Sequence, residues 1–558
     1  MIQVNIEKSK MINQPYSAFL TFKYDEQILQ TVKSLSVRKY HPQDKRWEIE
    51  VEALDKLKKM LPHEKFIIQN NHTNRLSISE SELTYFKSSP MQHQIECINF
   101  GLNNPKMIIG DEQGLGKTAE SLYIAVLNKH YFHHRHTLIL SCVNKLKWNW
   151  QKEAEQHTFE KAHVLGARYT QKGVAKAIRN EDKLADLKNI HAFDDCYFLI
   201  TNIESLRNEE IANRLVYLCS IGLINTIIVD EIHKCKNARS AVGQNLLRLS
   251  APSCIALSGT LLINNPLDLY IPLRFIGVET MPEWQFRRRY QTYTVIKRFG
   301  EIRKIPNGYQ NLDELQRKYQ NYKIRRKKED VLNLPDKIVT TEVLEMSESQ
   351  KRIYEEVRTS LLKDVDKIKT CSNPLEKLTR LRQVTSMPSL ITSSAVDNCK
   401  MERMEEIVEE IVLNGGKAII YSNWAKVVVE CVKRLKKYSP ASITGKTVDT
   451  ESEKEKFMQS EKCKVIVGTI GAMGTGYTLT AATAVLFIDS PWTDAARMQA
   501  EDRAHRIGTS HSVNVIYLIC KDTVDERVQK LVESKKRLSD ILLDSENKQD
   551  ILDYLLNG

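Results

Sequence analysis

The chain has 558 residues, with 82 Lys and Arg against 70 Asp and Glu, a net charge of +12 and 11 cysteines. That length is too great for one hydrophobic core and predicts roughly three or four units. No run of about 18 consecutive apolar residues occurs, and the start Met1-Ile2-Gln3-Val4-Asn5-Ile6-Glu7-Lys8 lacks a basic segment followed by an apolar block, so a soluble, unexported protein is expected. The cysteines are scattered with no Cys-x-x-Cys pair, which argues against a zinc finger or a disulfide framework and fits a reducing compartment. The positive excess biases the chain toward polyanions. Taken alone, the basic clusters Arg287-Arg288-Arg289, 323–328 and 433–437 each read as a solvated helix face.

In chain order, residues 1 to about 80 mix short β-like runs with a helical segment and read as a small basic α+β module. Apolar runs then recur between helical patterns at Met107-Ile108-Ile109, Leu138-Ile139-Leu140, Phe198-Leu199-Ile200, Ile227-Ile228-Val229 and Ile255-Ala256-Leu257. Runs this short between polar loops suit buried parallel strands, and strands alternating with helices predict an α/β lobe over 81–275. From 276 to 395 the strand signal fades into charged helical sequence, as in Glu348 to Lys363 and Leu375 to Gln383, which predicts an α-helical insertion and bridge. Strands return at 418–421, 465–467, 484–488 and 513–518, so a second α/β lobe is expected over 396–535, followed by a charged helical tail at 536–558.

The chemistry starts at Gly110-Asp111-Glu112-Gln113-Gly114-Leu115-Gly116-Lys117-Thr118, between an apolar run and the helical stretch from Ala119 to Leu127. Gly114 and Gly116 let backbone N–H groups turn toward an anion, the helix N-terminus adds its positive dipole end and Lys117 adds a formal charge. Thr118 carries the hydroxyl that can coordinate Mg²⁺. The generic pattern requires Gly five residues before Gly116, where Asp111 stands, so the loop is an irregular phosphate cradle. Asp230-Glu231-Ile232-His233 follows the run Ile227-Ile228-Val229. There Asp230 can share the Mg²⁺ with Thr118, and Glu231 can orient and deprotonate a water attacking the γ-phosphate. In the second lobe, Gln499 to Gly508 carries Arg503 and Arg506 three apart, spaced to project from one helix face toward a developing phosphoryl charge.

Together these motifs resemble a superfamily 2 helicase-type motor, specifically the Swi/Snf class of ATPases, in order from about 83 to 535. Asp111 to Thr118 is similar to that class's phosphate loop, with Gln113 where Met is usual. The resemblance implies two RecA-like lobes with an ATP site between them, formed by Gln94, which reads adenine, by Asp111, Glu112, Gln113, Gly114, Leu115, Gly116, Lys117 and Thr118, and by Gly474 and Gln499 of the second lobe. Lys117, Asp230, Glu231, Arg503 and Arg506 are implied to be catalytic, with Thr118 and Asp230 on Mg²⁺. His233, Ser258, Gly259 and Thr260, ahead of Asn264-Asn265-Pro266, are implied to couple hydrolysis to lobe movement. Arg325 to Val331 with Leu334 to Lys337 resembles the bridge between lobes. Implied DNA contacts are Lys145, Lys147, Thr201, Asn202, Ser422, Thr475 and Trp492. Two departures stand out: Pro491-Trp492-Thr493-Asp494 where Trp-Asn-Pro is usual, and Val384 to Pro388 where Cys-Asn-His-Pro follows in the class.

Residues 22–47, with Phe22, Tyr24, Lys33, Arg38, Tyr40 and Lys45-Arg46-Trp47, resemble the HARP domain of annealing helicases, so 1–80 is read as a HARP-like module. The combined resemblance implies an ATP-dependent translocase on double-stranded or branched DNA that anneals strands or regresses forks. A motor that strips or repositions DNA-bound proteins and a nucleotide-gated DNA-binding switch stay open at this point. A monomer in a prokaryotic or viral-host cytoplasm is expected, or in a nucleus if the source is eukaryotic.

Overall fold

The computed structural model describes residues 2–8, 16–42, 44–50, 53–64, 66–70, 76–142, 146–168, 178–235, 237–259, 266–298, 301–332, 334–363, 374–392, 397–474 and 477–533. The first strands, β1 (Ile2–Lys8), β2 (Tyr16–Phe22), β3 (Arg38–His41), β4 (Arg46–Glu50) and β5 (Phe66–Asn70), form one mixed sheet in the order β3-β4-β2-β1-β5. Helices Glu26–Lys33 and Ala53–Met60 bury Ile28, Val32, Leu54 and Leu57 in a core shared with Ile2, Val4, Leu20 and Ile49. Trp47 and Phe22 pack against that core, whereas Tyr24 is 79% exposed and Tyr40 is 43% exposed.

The next lobe is built on β6 (Lys106–Ile109), β7 (His136–Ser141), β8 (Lys161–Val164), β9 (Cys196–Asn202), β10 (Ile224–Val229) and β11 (Ser253–Leu257). All pair in parallel. Both sheet faces are covered by helices, so strands such as His136–Ser141 and Ser253–Leu257 are buried at every position, the expected pattern for a parallel sheet. An antiparallel ribbon, β12 (Gln291–Arg298) with β13 (Glu301–Tyr309), belongs to neither large sheet. It is followed by the two-residue β14 (Lys323–Ile324), which extends the first lobe's sheet to β14-β6-β11-β10-β7-β9-β8.

The second lobe holds β15 (Lys337–Leu344), β16 (Ala418–Ser422), β17 (Ala441–Ile443), β18 (Val465–Thr469), β19 (Ala484–Phe487) and β20 (Val513–Cys520), all parallel, in the order β15-β20-β19-β16-β18-β17. The helices expected in the intervening segment are present at Glu348–Lys363 and Pro374–Ser386. That segment is not wholly helical, however. It holds the β12–β13 ribbon, contributes β14 to the first sheet and β15 to the second, and β14 and β15 were missed because neither has a buried apolar run: β15 alternates weakly and is mostly exposed along an edge. The expected C-terminal tail at 536–558 lies outside the described residues. Among the described residues no helix is long and apolar enough to cross a membrane.

Candidate active site

Three adjacent strands, β6, β11 and β10, end at one edge of the first sheet and deliver three of the motifs side by side. β6 leads into the phosphate loop, β11 into Ser258-Gly259 and β10 into Asp230-Glu231, the usual position for a ligand site at the carboxyl ends of parallel strands. The loop turns through Gly114 and Gly116, both at φ +86°, into the helix Lys117–Phe132. Lys117 Nζ donates to the carbonyls of Asp111 (2.7 Å) and Glu112 (3.1 Å), folded over the loop that it would serve. Gln94 lies under the loop: its Nε2 donates to Leu115 O at 3.4 Å, beside His93 Nε2 at 3.0 Å from the same oxygen.

Asp230 and Glu231 share the cleft wall. Glu231 sits in the left-handed region at φ +45°, a conformation that costs a non-glycine residue and marks a constrained turn. Burial and the neighbouring Glu231 charge push the Asp230 carboxyl up to about 6, while Asp230 Oδ2 accepts from Trp150 Nε1 at 3.2 Å. Burial also acts upward on Glu231, but the His233 hydrogen bond and charge, with Lys117 and Lys234, hold it down at about 2, leaving an anionic base candidate. His233 Nδ1 lies 3.2 Å from Glu231 Oε2 and 2.8 Å from Ser258 Oγ. The chain of Glu231, His233 and Ser258 therefore joins the β10 and β11 loops. Thr260 lies outside the described residues.

Arg503 and Arg506 are not on a helix. The helix Asp494–Glu501 ends before them, and both project from turns that follow it, because Asp502 caps the helix and Arg503 N bonds only to Ala500 O. Arg503 is held by the carbonyls of Gln499 (2.9 Å) and Tyr477 (3.1 Å), and its Nη2 crosses to the first lobe to donate to Gln113 Oε1 at 3.2 Å. Arg506 packs over the loop, its Cβ 3.0 Å from where a Cβ on Gly114 would stand. Burial and the Arg503 charge press the Arg506 guanidinium below its ordinary pKa.

The bridge segment makes this apposition possible, and the sequence reading gave its residues no specific role. Gly110 N donates to Ile324 O and Glu112 N to Arg326 O, so the segment runs beside the phosphate loop. Arg326 binds the fully buried Asp111 through its backbone N (2.8 Å), Nε (3.0 Å) and Nη2, and also binds Glu120 and His93 O. Lys328 N donates to Glu112 Oε2 at 2.9 Å, and Lys328 Nζ reaches Asp502 Oδ1 at 2.6 Å and His505 O at 2.9 Å. The carboxylates of Asp111 and Glu112, expected at the nucleotide, are thus engaged by the bridge. In the second lobe, Gly474 ends the helix Ile470–Met473 and Gln499 is buried behind Arg503.

A second group lies at the ends of β7 and β9. Lys147, on the helix Leu146–His157, is only 5% exposed, and burial with the Lys183 charge pulls its ammonium down to about 8. Lys183, which the sequence did not single out, donates to Asn202 Oδ1 (3.0 Å) and Ser205 Oγ (2.7 Å), and Ser205 in turn meets Thr201 Oγ1 at 2.9 Å. Asn202 is therefore tied to Lys183 directly, and Thr201 through Ser205. Ser422, expected at DNA, is fully buried and donates to Asp489 Oδ2 at 2.6 Å, so its hydroxyl is committed inside the lobe. Trp492 is half-buried, with the Arg382 guanidinium 3.9 Å from its ring centroid. Lys145 and Thr475 lie outside the described residues.

Residues 93–390, more than half of the chain, match the SNF2-related domain, and residues 399–508 match the helicase conserved C-terminal domain. The chain belongs to the SNF2-related family. It carries that family's helicase-type core, and it is similar to an uncharacterized ATP-dependent helicase of Mycoplasma pneumoniae (27% identity over 482 residues, 84% of this chain and 43% of that protein). It is also similar to the putative ATP-dependent helicase/translocase YwqA of Bacillus subtilis (25% over 460 residues, 79% and 46%). A third relative is the SWI/SNF-related matrix-associated actin-dependent regulator of chromatin subfamily A-like protein 1 of Xenopus tropicalis (24% over 547 residues, 92% and 53%). The chain thus spans about half the length of these SNF2-related relatives or less. Among solved structures, the Sulfolobus solfataricus SWI2/SNF2 ATPase core in complex with dsDNA is matched at 20% identity and TM-score 0.36, over 85% of this chain and 98% of that one.

Gly116→Ala tests the loop geometry. The new Cβ would stand 2.4 Å from Gln94 Nε2 on a backbone at φ +86°, and nucleotide affinity, read by fluorescent-nucleotide titration, should fall by about tenfold or more. Unchanged affinity would show that this turn does not form the cradle.

Proposed function

We propose that the chain is an ATP-driven translocase on double-stranded DNA. The observation that carries this reading is the contact from Arg503 of the second lobe to Gln113 in the phosphate loop of the first, at 3.2 Å, which puts a cationic finger beside the nucleotide cradle. Lys117 and the loop N–H groups bind the phosphates, Glu231 accepts a proton from the attacking water, and Arg503 with Arg506 stabilises charge developing on the γ-phosphoryl group. Thr118 and Asp230 supply the hydroxyl and carboxylate that would hold a Mg²⁺ ion arriving with the nucleotide, and the ion would neutralise phosphate charge there. The path from Glu231 through His233 to Ser258 supports a link between the state of the base and the loop that follows β11. Opening and closing of the cleft would step the two lobes along a DNA backbone that the Lys147 and Lys183 region holds by phosphate contacts.

The finer reading is strand annealing or fork regression, with residues 1–80 as a HARP-like DNA-binding module. It is supported by the exposed Tyr40 on β3, beside Arg38 and Lys39, which suits phosphate contact and base stacking.

Three measurements test these assignments. Double-stranded DNA should stimulate ATP turnover by the native chain, and Glu231→Gln should lower kcat by about a hundredfold or more with little change in ATP affinity. No stimulation, or full turnover in the variant, rejects the motor. Deleting residues 2–70 should reduce strand annealing and leave DNA-stimulated ATPase intact, and the reverse pattern rejects the module's role. Because Lys147 titrates near 8, its charge is present below that pH and lost above it. Fluorescence anisotropy with duplex DNA should therefore show the slope of log K against log salt becoming shallower by about 0.9 between roughly pH 7 and 9. Lys147→Arg should abolish that pH step, since guanidinium stays charged.

A further inference from the structure

Gln113 occupies the one position of the phosphate loop at which this chain departs most in chemistry from the class it resembles, where Met is usual. A thioether offers no donor and only a weak acceptor, whereas a carboxamide offers both. The side chain is 9% exposed, and it uses its two ends differently. Oε1 accepts from Arg503 Nη2 at 3.2 Å, across the interlobe cleft. Nε2 is buried with no hydrogen-bond acceptor among the described residues. A buried amide N–H₂ without an acceptor is costly, and such groups in folded proteins are normally satisfied by protein, water or ligand.

The place of that nitrogen indicates which ligand. A Cβ built on Gly259 would stand 3.5 Å from Gln113 Nε2 and 3.4 Å from Lys117 Nζ, so the amide and the phosphate-loop ammonium converge on one point at the end of β11. Lys117 is the residue that addresses the terminal phosphates in a loop of this kind. Among the described residues no acidic side chain accepts from Gln113 Nε2, and an anionic oxygen entering with the nucleotide would satisfy it.

We propose that Gln113 reads the γ-phosphate and positions Arg503: its amide nitrogen donates to a γ-phosphate oxygen while its oxygen holds the Arg503 guanidinium in line with the same group. This rests on the ATPase reading above. One side chain then reports the presence of the third phosphate directly to the opposite lobe, and ADP leaves the nitrogen unsatisfied.

The test uses the full chain and two variants. Gln113→Met removes both hydrogen bonds at similar length, and Gln113→Glu keeps an acceptor for Arg503 while replacing the donor with a charge that repels phosphate. Native protein should bind a non-hydrolysable ATP analogue more tightly than ADP. Gln113→Met should lower kcat by about tenfold with ATP KM changed less than about threefold, and it should narrow the preference for the analogue over ADP. Gln113→Glu should narrow that preference by at least as much. Two results overturn the proposal: Gln113→Met within about twofold of native kcat, or Gln113→Glu retaining the native preference for the analogue. Absence of turnover in the native chain would instead reject the ATPase reading, so the two failures are distinguishable. If Gln113→Met proves unstable by thermal melting, Gln113→Leu supplies the same loss of both bonds and is held to the same criteria.

Discussion

The cleft depends on one buried ion pair, Asp111 with Arg326. Asp111 lies directly ahead of the glycine turn with no solvent exposure, and a carboxylate in that position is tolerable only when fully hydrogen-bonded to a cation. Arg326 meets it through backbone and side chain, and the same Nη2 that binds Asp111 also donates to Glu120 on the loop's own helix, while Nη1 reaches His93 O. Losing one partner of such a pair typically costs about 3–5 kcal/mol, because the other charge stays buried. The residue that deprives the loop of its regular first glycine is therefore the anchor for the segment between the lobes.

From that anchor the geometry propagates over two residues. Lys328 emerges with its backbone on Glu112 and its ammonium on Asp502 and His505 O, immediately before the turn that carries Arg506. Gly114 is hemmed in by Arg506 Cβ and Lys328 Cε, so a side chain there would push against the opposite lobe. Arg503 and Arg506 of the second lobe therefore lie against Gln113 and Gly114, in the loop that leads to Lys117. The proposed nucleotide would meet fixed charges there, and a preorganised field of that kind stabilises phosphoryl charge without reorganisation at the moment of reaction. Lys337 to Glu501 at 2.7 Å adds a further tie from the bridge to the helix ahead of the arginines.

Much of this was legible from residues alone because parallel strands buried on both faces leave a simple trace. Ile227-Ile228-Val229 and Ala418-Ile419-Ile420-Tyr421 could be read as strands, and the motifs at their carboxyl ends followed. The misses share a cause. β14 and β15 are edge elements with partly polar sequence, so their membership in a sheet depends on a neighbour distant in sequence. Arg503 and Arg506 have helical spacing, yet Asp502 ends the helix, a boundary that spacing does not reveal. Ser422 sits at a strand end, as a contact residue would, but Asp489 takes its hydroxyl. Trp150 and Lys183 carry no local signature, since their partners Asp230 and Asn202 come from other elements.

What the sequence by itself determined is the inventory of chemistry and its order: a phosphate cradle, an acidic strand end, a pair of arginines, and the two α/β lobes that hold them. These follow from backbone freedom at glycine, hydrophobic periodicity and charge, all of which are local. Only the tertiary structure decided how the parts meet. Asp111 and Glu112 serve the bridge, Gln113 faces Arg503, and Lys183 joins Lys147 behind Thr201 and Asn202. Each of these pairings links residues far apart in the chain, and in a close-packed interior the partner of a buried charge or amide is set by which elements pack against it, a property that no local pattern encodes.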